Sequence, residues 1–390
     1  MILNYKYRLF PTKKQQSKLD QQFFVSNQAW NYGLKIRMRD LQHKTGFTPL
    51  KLIEKYVKTQ LTIRNIKGHS GIIQMSIRNL DSTLKQFFKN KKESGDKGFP
   101  KFSSSNFIQQ SFEFKNQGFQ ITNKYFKILN MKIDWKFHRE LPSRVKKIIV
   151  KREADGNYFV IFSIEVEKQE IEKTGKKCGI DLNIKNISVA TSGKTYLKTI
   201  TKMAKYSKKY SKLQKVLSKR YEEAKKSKNK VSKNTKKLQK KQNKIHKKVR
   251  NIKEDFFHKI SNKIVKNFDH IIVEKLEVKK MKENAPSRRL KRDIAEVSWS
   301  SLIEKLRYKS EKYCKVFEEI NPAYTSQRCN KCGNIDSKNR RSQAKFKCCE
   351  CGYIANADKN AAKNILEYEK WFLEQKTRWD ARHTESSKAA

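Results

Sequence analysis

Cys178-Gly179-Ile180-Asp181-Leu182 is a short apolar run with one acid near its end. Four to eight residues of this kind read as a buried strand, and a carboxylate inside one is costly unless something pairs with it. Just beyond, Ile187 to Ala190 reads as a second strand, and Ser192-Gly193 turns the chain toward a third. The same design returns far downstream in His270-Ile271-Ile272-Val273-Glu274, again an apolar strand that closes on an acid. A helix over Ser298 to Tyr313 leads into a strand within Lys312 to Ile320. Asn356 to Leu366 reads as a final helix, in which Ala361, Ala362 and Ile365 allow close packing on a sheet.

Three hairpin-linked strands, helices, a strand, a helix, a strand and a closing helix make the order of the RNase H fold. In that order the first and fourth strands end side by side, and the last helix packs beside them. Asp181, Glu274 and Asp358 would then meet. Three carboxylates suit two Mg²⁺ held about 4 Å apart, one activating water and the other stabilising a leaving 3′ oxygen. Hard oxygen donors that leave room for bound water favour Mg²⁺ over a softer metal. Singly, each acid has a plainer reading: Asp181 as a turn cap, Asp358 as a helix N-terminal charge, and Glu277 competes with Glu274. It is their joint order that favours catalysis. Lys275 is expected on the opposite side of its strand from Glu274.

The first half carries a different pattern. After an opening strand, Asn4 to Phe10, Pro11 breaks the run, and the periodicity is helical from about Gln15 to Asn90. Its clearest stripe is Ile73, Ile77, Leu80, Leu84 and Phe87, a core face by its spacing. Gly95, Gly98 and Pro100 end the helices. From Phe107 to Val166 the pattern alternates, with Tyr158, Val160, Phe162, Ile164 and Val166 on one side of a strand. Asp155-Gly156 marks a hairpin back to Val145 through Val150. The expected fold is α+β and multidomain: a small antiparallel sheet or barrel, 1–10 with 96–172, completed by the N-terminal strand and carrying a helical insertion over 11–95. Aromatics interleave with lysines here (Phe99, Phe102, Phe107, Phe112, Phe114, Tyr125, Phe126). Most are expected in the core; any on the surface can stack on bases.

Charge names the partner class. The 390 residues hold 91 Lys and Arg against 38 Asp and Glu, a formal net charge of +53. Such an excess repels itself in a compact state, so a polyanion is the expected partner, bound with strong salt dependence. A lysine-rich codon bias is the plainer explanation, set aside because the excess is large and clustered. No apolar run approaches the ~20 residues of a spanning helix, and the N-terminal stretch lacks a signal-peptide core. The expectation is a cytoplasmic, nucleoid-associated protein with no membrane partner. After a linker around Gln169 to Lys176, the densest basic segment is 202–267, where Tyr206, Tyr210, Leu213 and Leu217, then Ile245, Val249, Ile252, Phe256, Ile260 and Ile264, form apolar seams. Lys225 to Asn234 reads as the bend of a helical hairpin whose lysine face is left free for a duplex backbone.

Seven cysteines in a long chain do not suggest a disulfide scaffold. Cys329-Asn-Lys-Cys332-Gly and Cys348-Cys-Glu-Cys351-Gly are two knuckles, the signature of a zinc ribbon. Four thiolates select one Zn²⁺ and leave no open position, so the site is structural, and binding supplies on the order of 10 kcal/mol of folding energy. Cys349 stands as an alternative to Cys348, although the knuckle spacing favours Cys348. Cys178, Cys314 and Cys349 are expected as buried thiols.

These residues carry a resemblance. Gly179-Ile-Asp181-Leu-Asn183, Ile272-Val-Glu274, Thr325-Ser-Gln-Arg-Cys329 with the second knuckle, and Asn356-Ala-Asp358-Lys-Asn-Ala-Ala-Lys-Asn-Ile365 resemble the transposon-encoded TnpB family, which is related to type V CRISPR effector nucleases. The likeness runs from Tyr5 to about Leu366 and is most specific across Thr325 to Ile365. It implies a wedge barrel with a helical recognition insertion, then a RuvC nuclease domain over 173–322 and 353–378. A zinc-ribbon module at 323–352, binding target nucleic acid, would interrupt that domain; the tail at 379–390, from about Trp379, itself reads as disordered and dispensable. It implies a guide RNA, with one or two protein copies per RNA, and cleavage of matching double-stranded DNA beside a short adjacent motif. Asn183 stands where the family usually has Gly, and Lys275 where it often has Asp; all three acids remain. A guided repressor without cleavage and a DNA strand transferase are the alternative functions, separated by a plasmid cleavage assay and by a search for joined ends.

Overall fold

The computed structural model describes residues 1–390 apart from 44–45, 93–97, 105–109, 116–117, 184–186, 191–194, 197–200, 228–229 and 372–390. Gly95, Phe107, Ser192, Gly193 and the tail after Trp379 therefore lie outside the described residues. Two units emerge, Met1–Val166 with Leu213–Ile245, and Glu167–Lys212 with His246–Ala390.

In the first unit the opening alternation becomes the middle of a sheet. Strand β1 (Ile2–Phe10) is followed by helices α1 (Lys13–Gln42), α2 (Leu50–Ile63) and α3 (Ser70–Lys92). Strands β2 (Gln110–Lys115), β3 (Phe119–Ile121), β4 (Tyr125–Ile128), β5 (Met131–Trp135), β6 (Val145–Arg152) and β7 (Tyr158–Glu165) then complete a seven-stranded antiparallel sheet in the order β2-β6-β7-β1-β5-β4-β3. β1 stops before Pro11, and Thr12 starts α1 as a reciprocal cap: its hydroxyl accepts from Gln15 N, and Gln15 Oε1 accepts from Thr12 N. The helical block is thus inserted between β1 and β2, as its periodicity predicts. Ile73, Ile77, Leu80 and Leu84 are buried, while Phe87 is half-buried against Phe99. Gly156 takes φ +86 in the turn between β6 and β7, which asparagine-like or glycine residues tolerate. Tyr158, Val160, Phe162 and Ile164 all point into the core. Of the interleaved aromatics, Phe112, Phe114 and Phe126 are core and Phe102 is exposed.

The second unit is built on a sheet of five strands: β8 (Lys177–Leu182), β9 (Ile187–Ala190), β10 (Thr195–Tyr196), β11 (His270–Glu274) and β12 (Val316–Ile320). Their order is β10-β9-β8-β11-β12, with β11 parallel to both β8 and β12 and the remaining pairs antiparallel. The first and fourth of these strands, β8 and β11, are neighbours, as the order of elements in the sequence predicts. Helices α4 (Thr201–Lys226) and α5 (Lys233–Asn267) form the basic hairpin, and residues 213–245 at its bend fall within the first unit. Leu217, Ile245, Ile260 and Ile264 are buried along its seams, whereas Lys212, Lys219, Lys237 and Lys244 are exposed. Between β11 and β12 the structure has three helices, α6 (Val278–Glu283), α7 (Arg288–Val297) and α8 (Trp299–Lys312), where the sequence reading gave one. After β12 come a small hairpin, β13 (Lys345–Lys347) with β14 (Ile354–Asn356), and helix α9 (Ala357–Leu366), which packs on β8.

One residue lets α9 lie so close. A Cβ built on Gly179 would stand 2.4 Å from Ala362 O and 2.5 Å from Leu366 N, so only glycine fits beneath the helix. Two thiol expectations are corrected. Cys178 is buried, but Cys314 is exposed in the left-handed turn that ends α8, with φ 52, and Cys349 is exposed in its knuckle.

Candidate active site and metal centre

Parallel pairing of β8 with β11 sets Ile180 opposite Val273, and one further step brings Asp181 level with Glu274. Both acids therefore sit at the carboxyl ends of neighbouring strands. Asp358 comes from the first turn of α9, where Asn356 Oδ1 caps the helix by accepting from Asp358 N and Lys359 N. With α9 seated on Gly179, the three acids approach one another. Burial, followed by the negative charges of Glu274 and Asp358, pushes the Asp181 carboxyl up to about 8. Burial also raises Glu274. Asp358 Oδ1 is buried with no hydrogen-bond partner.

Crowded acids and an orphaned buried oxygen are what a hard divalent cation relieves, so the donor set fits Mg²⁺. Two neutral side chains hydrogen-bond the acids. Asn183 Nδ2 donates to Asp181 Oδ2 at 2.8 Å, so the asparagine found where the family pattern has glycine makes a contact of its own. The Thr325 hydroxyl donates to Glu274 Oε1. Glu277, the competing candidate, is exposed at the start of α6 and paired with Lys280 at 2.7 Å.

Arg340 was not anticipated from the sequence. Its positive charge opposes the upward shift of both Asp181 and Glu274, so the loop between the two knuckles brings a cation within electrostatic reach of both acids. The Arg340-Arg341 pair in that loop was the available signal.

The four knuckle cysteines do converge. Cys329 Sγ lies 3.7 Å from Cys351 Sγ, Cys332 Sγ lies 3.5 Å from Cys348 Sγ, and all four sulfurs are within 4.8 Å of one another. A tetrahedron of ~2.3 Å zinc–sulfur bonds has edges of about 3.8 Å, so the set fits Zn²⁺ with every position filled. The glycine after each second ligand takes a left-handed conformation, φ +81 at Gly333 and +68 at Gly352, as the tight knuckle turn requires. Burial opposes ionisation of Cys348, but hydrogen bonds from the N–H groups of Cys351 and Glu350 and from the Cys332 and Cys351 side chains together bring that thiol down to about 7. Cys349 instead faces Arg341, its Sγ 3.8 Å from Nη2, so Cys348 holds the fourth corner. Among the described residues this is the group of three or more ligating side chains close enough to share one ion directly, and the carboxylates are spread more widely.

The likeness to known proteins runs along most of the chain. Residues 1–45 match a family model described as "Helix-turn-helix domain", 161–285 one described as "Probable transposase", and 299–365 one described as "Cas12f1-like, TNB domain". The first of these regions is here a strand followed by one 30-residue helix. InsQ of Escherichia coli, named as a candidate RNA-guided DNA endonuclease, is 29% identical over 310 residues, 75% of this chain and 73% of that protein. A similarly named protein of Streptomyces pristinaespiralis is 24% identical over 93% of this chain and 88% of its own. The CRISPR-associated endodeoxyribonuclease Cas12f1 of Sulfoacidibacillus thermotolerans is 56% identical over 68 residues, 17% of this chain and 16% of its own. In fold, the chain resembles the Cas12f1 protein of a Cas12f1–sgRNA–target DNA complex, with TM-score 0.58 and 16% identity over 91% of this chain and 83% of that one. No helix among the described residues is long and apolar enough to cross a membrane.

Proposed function

From the TnpB family, to which this chain belongs, we propose that it is an RNA-guided DNA endonuclease. Its relatives are named as such, and its fold is that of a protein solved with guide RNA and target DNA. The five-stranded sheet would be a RuvC nuclease domain, and the seven-stranded sheet a wedge barrel carrying α1 to α3 as its recognition insertion. The module at 323–352 would be a zinc ribbon that contacts target nucleic acid. Sequence choice would come from base pairing with the guide, while the protein reads backbone shape and a short adjacent motif.

The observation that carries the nuclease assignment is the placement of Asp181, Glu274 and Asp358 at three element ends, near enough for their charges to be felt at Asp181. These carboxylates would hold Mg²⁺, which when bound supplies an activated water and charge neutralisation at the leaving oxygen. Asn183 and Thr325 each donate a hydrogen bond to one of the acids. Arg340 supplies a positive charge felt by Asp181 and Glu274, of the sign a scissile phosphate needs. Cys329, Cys332, Cys348 and Cys351 would hold Zn²⁺, fixing the loop that carries Arg340.

The test is a guide RNA matched to a supercoiled plasmid, incubated with Mg²⁺. The native protein should cut it, and Asp181→Ala, Glu274→Ala and Asp358→Ala should each abolish cutting while sparing RNA binding. Full cleavage by Asp181→Ala would refute the metal assignment. Tight target binding without scission by the native protein would instead favour the guided repressor.

A further inference from the structure

We propose that Thr325 is a positioning residue for Glu274, and that α9, through Asn364 and Asn360, holds Thr325 in place. This rests on the nuclease reading above and extends it to residues that touch no substrate.

Thr325 is 1% exposed, and its hydroxyl meets two acceptors, Glu274 Oε1 and, at 3.0 Å, Pro322 O. One hydroxyl has one proton, and a carboxylate is the stronger acceptor. The bond to Glu274 therefore fixes Oε1 and leaves Oε2 as the oxygen free to turn toward a cation. Glu274 ends its strand, so nothing in the sheet itself fixes its rotamer.

The turn bearing Thr325 has little regular structure, yet it is clamped. Asn364, fully buried, donates to Thr325 O at 2.9 Å and to Arg328 O at 2.7 Å. Asn360, 1% exposed, donates to Arg328 O at 2.8 Å and accepts from Asn330 N at 3.1 Å. Arg328 Nη1 returns a bond to Asn364 Oδ1 at 3.1 Å. Buried amides satisfied on both sides hold a unique geometry. The clamped segment runs directly into Cys329, the first zinc ligand. One helix thus carries Asp358, rests on the strand that carries Asp181, and grips the turn that aims Glu274. Support of this kind around a ligating carboxylate is worth about 10- to 100-fold in metal affinity.

The experiment compares Thr325→Val with Thr325→Ser. Mn²⁺ binding is followed by electron paramagnetic resonance, single-turnover cleavage of guide-matched DNA over an Mg²⁺ series, and zinc content by mass spectrometry. Thr325→Val should weaken Mn²⁺ binding by about tenfold and raise the Mg²⁺ needed for half-maximal cleavage by a like factor, with zinc retained. Thr325→Ser, which keeps the hydroxyl, should restore both to near native. On a Glu274→Gln background Thr325→Val should cost nothing further in Mn²⁺ binding, because its effect passes through that acid. If Thr325→Val sheds zinc, Thr325→Ser against Thr325→Ala makes the same comparison with the methyl absent from both. Native-like Mn²⁺ binding by the hydroxyl-free variant, or equal losses with and without the hydroxyl, would overturn the proposal. A native protein that binds no Mn²⁺ and cuts nothing would overturn the nuclease reading instead.

Discussion

Asp181 shows what a buried carboxylate costs the fold. Its carboxyl stands at about 8 in the folded chain against an ordinary 3.8, chiefly through burial. Between those values the folded state holds a proton that the unfolded chain has released, so stability falls as pH rises across that window. Above it the penalty is complete, on the order of a few kcal/mol. Without added Mg²⁺, Asp181→Asn should therefore melt higher than the native protein, by a margin that grows from pH 5 to pH 8 in differential scanning fluorimetry. A margin independent of pH would contradict the assignment. Adding Mg²⁺ should narrow the margin by stabilising only the native form. The three acids were legible in the sequence because each closes or follows an apolar run. Arg340 and Thr325 were not, because both sit in loops whose course is set by the knuckles and by α9 rather than by any local period.

Elements were legible where burial imposes a rhythm. β7 is a nearly unbroken apolar run buried on both faces, and the turn before it carries Asp155-Gly156; β8 and β11 are short apolar runs; α4 and α5 show seams. α6 was missed for the complementary reason: none of its residues is buried, so no stripe marks it. The short strands β2 to β5 were read only as a stretch of alternation, since three to six residues give too few repeats to place their ends. The contact of α9 with β8 leads to a prediction at this scale. Gly179→Ala would drive a methyl against Ala362 O and Leu366 N, both backbone atoms that cannot swing aside. It should cost about 3 kcal/mol, seen as a lowered melting temperature, and displace Asp358 enough to lose most cleavage. A Gly179→Ala protein with native melting and activity would show that α9 does not lie where the structure has it. The knuckle hairpin would be held by zinc in the same way. Cys332→Ser should release zinc and collapse cleavage, checked by metal content and plasmid cutting together, because Arg340 would lose its fixed loop.

For the molecule as a whole, charge was the plainest signal and the division into units the faintest. A net +53 shows itself in composition alone, whereas nothing in the seam of the hairpin says that residues 213–245 belong with the first unit. Binding of RNA or duplex DNA should weaken roughly 10³-fold or more between 50 and 200 mM salt, as release of counterions from several phosphates demands. Replacing Lys212, Lys219, Lys237 and Lys244 by glutamine should flatten that slope in a filter-binding titration; an unchanged slope would place the phosphate contacts elsewhere. The central position of β1 has a further consequence, for synthesis on the ribosome. Its mates are Asp134–Trp135 and Tyr158–Glu165, so a nascent strand that emerges first must wait for those residues to be translated, on the order of ten seconds or more at ordinary rates. The helices in between make local contacts and can mature during the delay, while Tyr7 and Leu9 stay uncovered. Chains stalled before Tyr158 should accordingly be sticky and short-lived in a nascent-chain protease assay, and those stalled far enough past Val166 for β7 to clear the ribosome should not.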